Sequence, residues 1–539
     1  MSLKRVLTTA ALPLAAACSL LVQTNGVQCN TNDDCLARGF DAGGAAIVCT
    51  ADHVCVGPGV GGPCATNAEC ITRNGGQPAI CRKDNQTCQP LLSADCPKVY
   101  NGDSASSDDA IVLGGLFTLS GVNATSGVAR MQSIELAIDD FTQTVVGLPG
   151  GSGGKPRPFV LVECDDQSDN GHATDAANHL ITVGVPAIIG PGGSGLVTAV
   201  IQNATIPAGV LVISPSATST SLSGTSPLFW RTSPSDTVQA IAMQDQISGP
   251  QGIETEFKAA NPTFTKVKLA IAYQDNTYGT GLEGALTTGL TLNGLALTDP
   301  GNTGYFSPLQ YSSSSLDPSS AATQVLSDND NLVVGIGTTE IITKFLTPIE
   351  ANWASSAPRP LYLFSDAGEK PELLTEVTGN DSLRVRVRGT VPGTNNALFG
   401  AFNLQYQGKY GAIANVFGMA GAYDSLYLIA YDIVSLGAQP ITGANLSSAM
   451  AKMIGGQKVA VGAGNIKTAF QVLQSGNAID IDGASGPLDF DLSQHEAKSD
   501  ITVWCIGKDG NGNPTFVSSG RFYDAPSATM KGTYGAACN

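Results

Sequence analysis

Short apolar runs alternate along this chain with stretches in which apolar residues recur every three or four positions. Residues 111–117 (IVLGGLF) form a run of buried-strand type. Over 127–145, Met131, Ile134, Ile138, Phe141 and Val145 fall on one helical face. PFVLVEC (158–164) predicts a second strand, and ATDAANHLITVG (173–184) a helix closed by Gly184. PAIIG (186–190), GLVTAVIQNATI (195–206) and GVLVISP (209–215) continue as strand, helix and strand. Beyond residue 236 the alternation resumes. KVKLAIAY (266–273) precedes the helix-like GTGLEGALTTGL (279–290), and NLVVGIG (331–337) precedes EIITKFLTPI (340–349). PLYLFSD (360–366) reads as a further strand, and YDSLYLIAYDIVSLG (423–437) as the most apolar helix. Repeated strand–helix units with apolar strands imply an α/β fold of parallel sheets covered by helices on both faces. Two clusters, 111–235 and 237–366, imply two lobes. Ligands in such folds bind beyond the carboxyl ends of the strands.

The first hundred residues follow another pattern. Lys4 and Arg5 precede an apolar stretch, 6–17, that ends in small residues, as an export signal does. Leu14-Ala15-Ala16-Ala17-Cys18 resembles a bacterial lipobox, in which the cysteine becomes the lipidated first residue, although Ala15 stands where leucine is usual. Cleavage after Ala17 without lipidation is the competing reading. The count of 13 cysteines favours lipidation, because 12 remain to pair once Cys18 carries lipid. No later segment has 18 uninterrupted apolar residues, so the expected membrane attachment is the N-terminal lipid alone.

Nine cysteines lie between 27 and 96: Cys29, Cys35, Cys49, Cys55, Cys64, Cys70, Cys81, Cys88 and Cys96. They form an internal repeat, QCNTNDDCLARG…IVCTADHVC followed by PCATNAECITRN…AICRKDNQTC. Each copy is too short to bury a core and needs covalent staples. No Cys-x2-Cys pair occurs, and an exported chain favours oxidation, so disulfides are expected rather than zinc. Four cysteines per copy allow three connectivities, and spacing does not choose among them. Cys164, Cys505 and Cys538 join Cys96 as candidates for two more bridges, with Cys164 alternatively an inert core thiol. The repeat region reads as a stalk or a surface-contact module.

Composition narrows the function classes. A chain of 539 residues predicts two to four domains, and 42% hydrophobic residues supply a large core. A net charge of −17 without a basic block argues against nucleic acid or anionic membrane surfaces as partners. Four histidines (His53, His172, His179, His495) argue against a histidine-rich metal centre and leave few general bases. Around Ser194 the run Gly192-Gly193-Ser194-Gly195-Leu196 is not a Gly-x-Ser-x-Gly elbow, and the chain has no phosphate loop or His-Glu-x2-His motif, so no enzyme activity, cofactor or metal is expected. Asp165, Asp166 and Asp169 form an acidic cluster that reads as loop-orienting. Asp509-Gly-Asn-Gly-Asn513 reads as a hairpin turn.

The phrases GLFTLSG (115–121), VECDDQSDNGHATDAA (162–177), VPAIIGPGGSG (185–195), LVISPSATSTSLS (211–223) and FWRTSPSD (229–236) occur in order. YQDNTYGTGL (273–282), VVGIGTTE (333–340), AYDSLYLIAYD (422–432) and SGPLDFD (485–491) follow. Over roughly 110–510 this ordered set resembles the type I periplasmic binding proteins of the branched-chain amino acid (Leu/Ile/Val) ABC transporter class. The resemblance implies two lobes joined by three crossovers, closing on a small ligand as a hinge closes. The expected organisation is a signal peptide (1–17), a lipid-anchored Cys-rich region (18–96), a linker (97–110) and a two-lobed domain (111–539). Lobe 1 would take 111–236 and 367–484, and lobe 2 would take 237–366 and 485–520.

By that resemblance Ser194, at a helix N-terminus, meets the ligand carboxylate, where free N–H groups also suit an anion. An ordinary N-cap is the alternative. Ser216, Ala217 and Thr218 match a ligand-contacting loop, Tyr278 a cleft-facing aromatic, and Glu340 an acid facing the ligand ammonium. A buried acid would select a cation, although the helix dipole alone also favours Glu there. Asp366 is a further candidate. Ser126 stands where a bulky aromatic often covers the ligand. The function implied is capture of an amino acid or related zwitterion for an ABC transporter permease. The chain would sit at the bacterial envelope, on the periplasmic face or outer membrane. A ligand sensor or surface adhesion protein using the same fold is the alternative.

Overall fold

A computed structural model describes residues 63–538 except 355, 394–396 and 412–415, and upstream only 29–31, 34, 48–49 and 55–56. The chain divides into two compact units, Met1–Gly61 and Gly62–Asn539. Cys18 and Cys35 lie outside the described residues, as do the signal segment and the side chain of Cys55.

In the first unit, strands Val48–Cys49 and Cys55–Val56 pair antiparallel, and Cys29 is bonded to Cys49. The second copy of the repeat opens the second unit and is built alike. Helix Asn67–Arg73, capped by Thr66, precedes strands Ala79–Cys81 and Cys88–Pro90. In both copies the third cysteine stands opposite the fourth across an antiparallel pair. In the second copy Cys64 is bonded to Cys81 and Cys70 to Cys88. First-to-third bonding is thus common to both copies.

Two eight-stranded sheets form the frame of the second unit, with two-stranded pairs at Thr291–Leu292 with Leu295–Ala296 and at Gln457–Ala460 with Ile479–Asp482. The first has six parallel strands in the order Glu496–Lys498, Phe229–Arg231, Leu211–Ser214, Ala187–Ile189, Ile111–Phe117 and Phe159–Asp165. The second has Phe306–Tyr311, Leu269–Gln274, Leu332–Ile336, Leu361–Phe364 and Val387–Pro392, also parallel. Ile501–Lys508 and Pro514–Asp524 then extend it antiparallel. The inner parallel strands are buried almost without interruption, because helices cover both faces, whereas the edge strand Phe306–Tyr311 is mostly half-buried or exposed. One face of the first sheet packs against helices Ala124–Val145 and Met419–Leu436, and the other against Asn170–Val183 and Ser194–Val200.

Corresponding helices of the two lobes share an irregularity. A π-helical turn over Ile201–Thr205 follows Ser194–Val200, and another over Ile341–Leu346 follows Glu340. Each is followed by a helical turn carrying a proline near its start, Pro207 or Pro348. Proline lacks the N–H that an α-helix would use, and the widened turn absorbs the mismatch.

Three expectations about boundaries differ from the structure. Residues 97–110, read as a linker, hold strand Lys98–Tyr100, which pairs antiparallel with Phe159–Asp165, and a 3-10 turn over Gly102–Ser106. Leu91, Cys96 and Ala105 are buried in the core of the first lobe, and Cys96 is bonded to Cys164. The second repeat is therefore part of that lobe's flank rather than a stalk. Arg82 reinforces this by donating to the carbonyls of Ile181 and Thr182 at the end of a lobe-1 helix. The second crossover falls just past Val387–Pro392, not near 367, and the third between strands Glu496–Lys498 and Ile501–Lys508, not near 485. Glu496–Lys498 pairs beside Phe229–Arg231 in the first sheet. Cys505 is bonded to Cys538, which fastens the C-terminal segment to the second sheet.

Candidate functional site

The loops at the carboxyl ends of both parallel sheets face one another, as the topology requires. On the first lobe the chain leaves Ala187–Ile189 through Gly190, whose φ is +107° and where a Cβ would stand 2.0 Å from the Leu116 carbonyl oxygen. Only glycine fits there. The turn delivers Ser194 to the start of its helix, buried, with Oγ accepting from the Ser219 N–H at 3.2 Å. A hydroxyl that accepts keeps its own proton to donate.

After Leu211–Ser214 the loop 215–219 packs over this turn. Ser216 Oγ donates to the Gly192 carbonyl at 3.0 Å. The Ala217 N–H donates to Ser214 Oγ at 3.1 Å. The Thr218 carbonyl accepts from the Asp236 N–H at 2.8 Å, and its hydroxyl, buried beside the Asp236 carboxyl, has no well-formed hydrogen bond. Arg231, fully buried, holds the loop by donating to the carbonyls of Ala217 (3.1 Å) and Ser219 (2.9 Å), to Ser223 Oγ and to Glu496.

On the second lobe Tyr278 lies on helix Thr277–Gly289, and its hydroxyl donates to Asp366 Oδ1 at 2.7 Å and lies 2.8 Å from Ser365 Oγ. Gln239 Nε2 donates to the same Asp366 oxygen at 3.0 Å. Glu340 is buried, and its Oε1 accepts from Gln274 Nε2 (2.6 Å), Tyr311 OH (2.7 Å) and the Thr338 N–H (2.9 Å). Its Oε2 accepts from the Thr338 hydroxyl. The carboxylate expected to face a ligand ammonium is thus held by donors of its own lobe.

Asp236, at the first crossover, is fully buried, and neither of its carboxylate oxygens has a hydrogen bond among the described residues. Burial, and then the Asp366 charge, holds its carboxyl well above the ordinary value. Burial raises Asp366 as well, against the pull of its hydrogen bonds from Tyr278 and Gln239.

The lobes meet directly. Ser219 Oγ donates to the Thr277 carbonyl at 2.9 Å. Thr339 Oγ1 lies 3.3 Å from Asn123 Oδ1 and 3.4 Å from the Val122 carbonyl. Lys370 Nζ donates to Ser126 Oγ at 3.1 Å and to Asn123 Oδ1 at 3.3 Å. Ser126 is therefore a lysine acceptor at the base of a helix. Arg130, one turn further along that helix, points its Nε and Nη2 at the Phe417 carbonyl. Neither Arg130 nor Lys370 stands out in the sequence, where a lone basic residue beside a helix reads as solvated.

The lobes, their three connections and the polar loops facing across them set the comparison with known proteins. A profile of the periplasmic binding protein family matches residues 110–511. The chain belongs to this family. Among solved structures it is similar to the branched-chain amino acid transporter substrate-binding protein LivJ from Streptococcus pneumoniae in complex with isoleucine. Identity is 20%, the match covers 76% of this chain and 99% of the other, and the TM-score is 0.55. It is similar to the leucine-binding protein LivK from Thermotoga maritima, at 17% identity, covering 76% and 98%, with a TM-score of 0.56. A solute-binding protein of an R. palustris ABC transporter, in complex with benzoate, matches at 16% identity, covering 79% and 98%, with a TM-score of 0.55. At these identities the likeness establishes the periplasmic-binding-protein fold. No curated protein matches the chain. Among the described residues no helix is long and apolar enough to cross a membrane.

Proposed function

We propose that this periplasmic binding protein captures a small carboxylate-bearing solute between its lobes and delivers it to an ABC transporter permease. One observation carries the reading. Ser194, Ser216–Thr218 and Arg130 of one lobe converge with Tyr278, Thr339 and Lys370 of the other at the carboxyl ends of both sheets. The relatives named above, crystallised with isoleucine and benzoate, take solutes of that size. Ser194 and the Ser216–Thr218 loop would hold the solute's carboxylate, and Tyr278 would close over it. The protein binds and releases without covalent chemistry. Export, lipidation at Cys18 and an envelope location belong to the same proposal, supported by the N-terminal pattern and the family.

Thermal unfolding of the full chain against amino acids, organic acids and sugars tests the reading. A solute at one hundred times its dissociation constant adds about 2.7 kcal/mol. A raised midpoint with one solute class is the expected result. No shift across a broad panel would turn the assignment to a sensor or adhesion protein on the same fold.

A further inference from the structure

Two of the converging residues, Arg130 and Lys370, are cations to which the solute-capture reading gives no contact with the solute. Ser126 and Arg130 stand four residues apart on helix Ala124–Val145, so they share a face. Lys370 reaches that face from the other lobe, is 6% exposed, and bonds only to neutral oxygens, those of Ser126 and Asn123. Arg130 bonds only to the Phe417 carbonyl. Neither has a carboxylate within ion-pair distance among the described residues, although the chain forms buried pairs elsewhere, such as Arg231 with Glu496.

Arg130 also lies against the candidate carboxylate loop. A Cβ on Gly192 would stand 2.7 Å from Arg130 Nη1 and 3.2 Å from Ser216 Oγ. One on Gly418 would stand 2.9 Å from Arg130 Nε and 2.8 Å from Ser216 Cβ. The two glycines leave room for the guanidinium beside Ser216.

We propose that the cleft selects an organic anion rather than a zwitterion, with Arg130 and Lys370 closing on its carboxylate from opposite lobes. The inference rests on the solute-capture reading and adds the ligand's chemical class to it. Closure brings two like charges together in a dehydrated space, which is costly unless an anion lies between them. Burial, and then the Arg130 charge, lowers Lys370 to about 8. Burial lowers Arg130 to about 10, since protein surrounds its guanidinium although part of the side chain stays accessible.

None of the acids that face these cations forms an ion pair with them among the described residues. Towards Arg130, Asp166 accepts from Thr118 Oγ1 and the Ser168 N–H through Oδ1 while its Oδ2 has no hydrogen bond, and Asp366 accepts from Tyr278 and Gln239. Towards Lys370, Glu340 accepts from Gln274, Tyr311 and Thr338, and Glu372 stands on the next helix without reaching the ammonium. A ligand ammonium would add a third positive charge beside Arg130 and Lys370, and Glu340 already has hydrogen bonds from its own lobe. A carboxylate would find two cations and the Ser194 hydroxyl.

Calorimetric titration of the full chain with acetate, benzoate, succinate, leucine and alanine tests this, with Arg130→Gln and Lys370→Gln alongside the parent. At least one of the three anions should bind ten times more tightly than either amino acid. Each substitution should weaken that anion at least tenfold while leaving the unfolding midpoint equal or higher, because it removes an unpaired buried charge. At pH 8.5 in two buffers of different ionisation enthalpy, anion binding should take up a large fraction of a proton as Lys370 becomes charged. That uptake should vanish in Lys370→Gln. Tighter binding of leucine or alanine than of every anion would overturn the anion assignment and leave solute capture standing. Anion binding that neither substitution changes would overturn the roles of Arg130 and Lys370. No binding by any of the five would overturn this inference, while solute capture would fall only with silence across the broader panel.

Discussion

Replacing Glu340 by glutamine separates two roles for this residue. Its carboxylate accepts from Gln274, Tyr311 and the Thr338 N–H at 2.6 to 2.9 Å, and from the Thr338 hydroxyl. Hydrogen bonds to a charged group contribute about 1.5–3 kcal/mol each, and neutral ones about 1 kcal/mol. Glutamine keeps one acceptor oxygen and the shape, but it weakens the charge-assisted increment over four bonds and presents an amide to the Thr338 hydroxyl. The lost increment is roughly 2–4 kcal/mol, offset in part because a buried amide costs less to desolvate than a carboxylate. A net loss of about 1–2 kcal/mol is expected. For lobes of this size it lowers the thermal midpoint by roughly 2–4 °C per kcal/mol. Scanning calorimetry on the full chain measures the midpoint, and titration with the best-bound solute measures the affinity. The account expects a lowered midpoint and a dissociation constant within about threefold of the parent's. An unchanged midpoint with amino-acid binding weakened a hundredfold would refute it and return Glu340 to the ligand ammonium.

Arg231→Met should cost about 3–5 kcal/mol in urea unfolding, since it strands Glu496 and the carbonyls of Ala217 and Ser219, and solute binding should fall with it as the loop loosens. Asp330 is 1% exposed with Oδ2 unpartnered, and burial, then the Asp328 charge, raises its carboxyl to about 7. The folded chain therefore keeps a proton that the unfolded chain releases near pH ~4, so this group's contribution to stability falls as pH rises from about 4 to about 7. Asp330→Asn should add up to a few kcal/mol at pH 8 and almost nothing at pH 4, read from denaturant midpoints at both. Replacing Cys505 and Cys538 together by serine opens a bridge spanning 33 residues, which chain entropy values at about 3–4 kcal/mol, and limited proteolysis should then cut the C-terminal segment first.

The parallel strands were legible because burial on both faces demands uninterrupted apolar runs, and Ile111–Phe117, Leu332–Ile336 and Leu361–Phe364 fall within the runs that predict them. Strand Val387–Pro392 was not legible. It carries Arg388, Gly389 and Pro392, yet it is buried throughout. Arg388 pairs with Glu256 and lies 4.8 Å over the Tyr534 ring. Gly389 makes room for Trp504, which a Cβ would meet at 2.1 Å. Those partners come from distant segments, so local periodicity cannot reveal them, and the sequence pattern alone puts the second crossover too early for that reason. The segment 97–110 misled in the same way. Lys98 looks solvated until Glu135 and Glu163 are seen beside it, and Tyr100 until its hydroxyl meets Asp139.

The site divides along similar lines. Ser194 and the Ser216–Thr218 loop follow strand ends, and position alone marks them. Glu340 was locatable, but Gln274 and Tyr311, which occupy its carboxylate, come from two other strands. Arg130 and Lys370 carry no local signal, because their meaning depends on the other lobe.

Hydrogen–deuterium exchange of the full chain, with and without the best-bound solute, tests most directly whether solute is held between the lobes. The account predicts slower exchange at once in 122–130, 192–196 and 216–219 on the first lobe and in 277–280, 338–341 and 366–371 on the second. Protection confined to one lobe, or located in the cysteine-rich repeats, would contradict it.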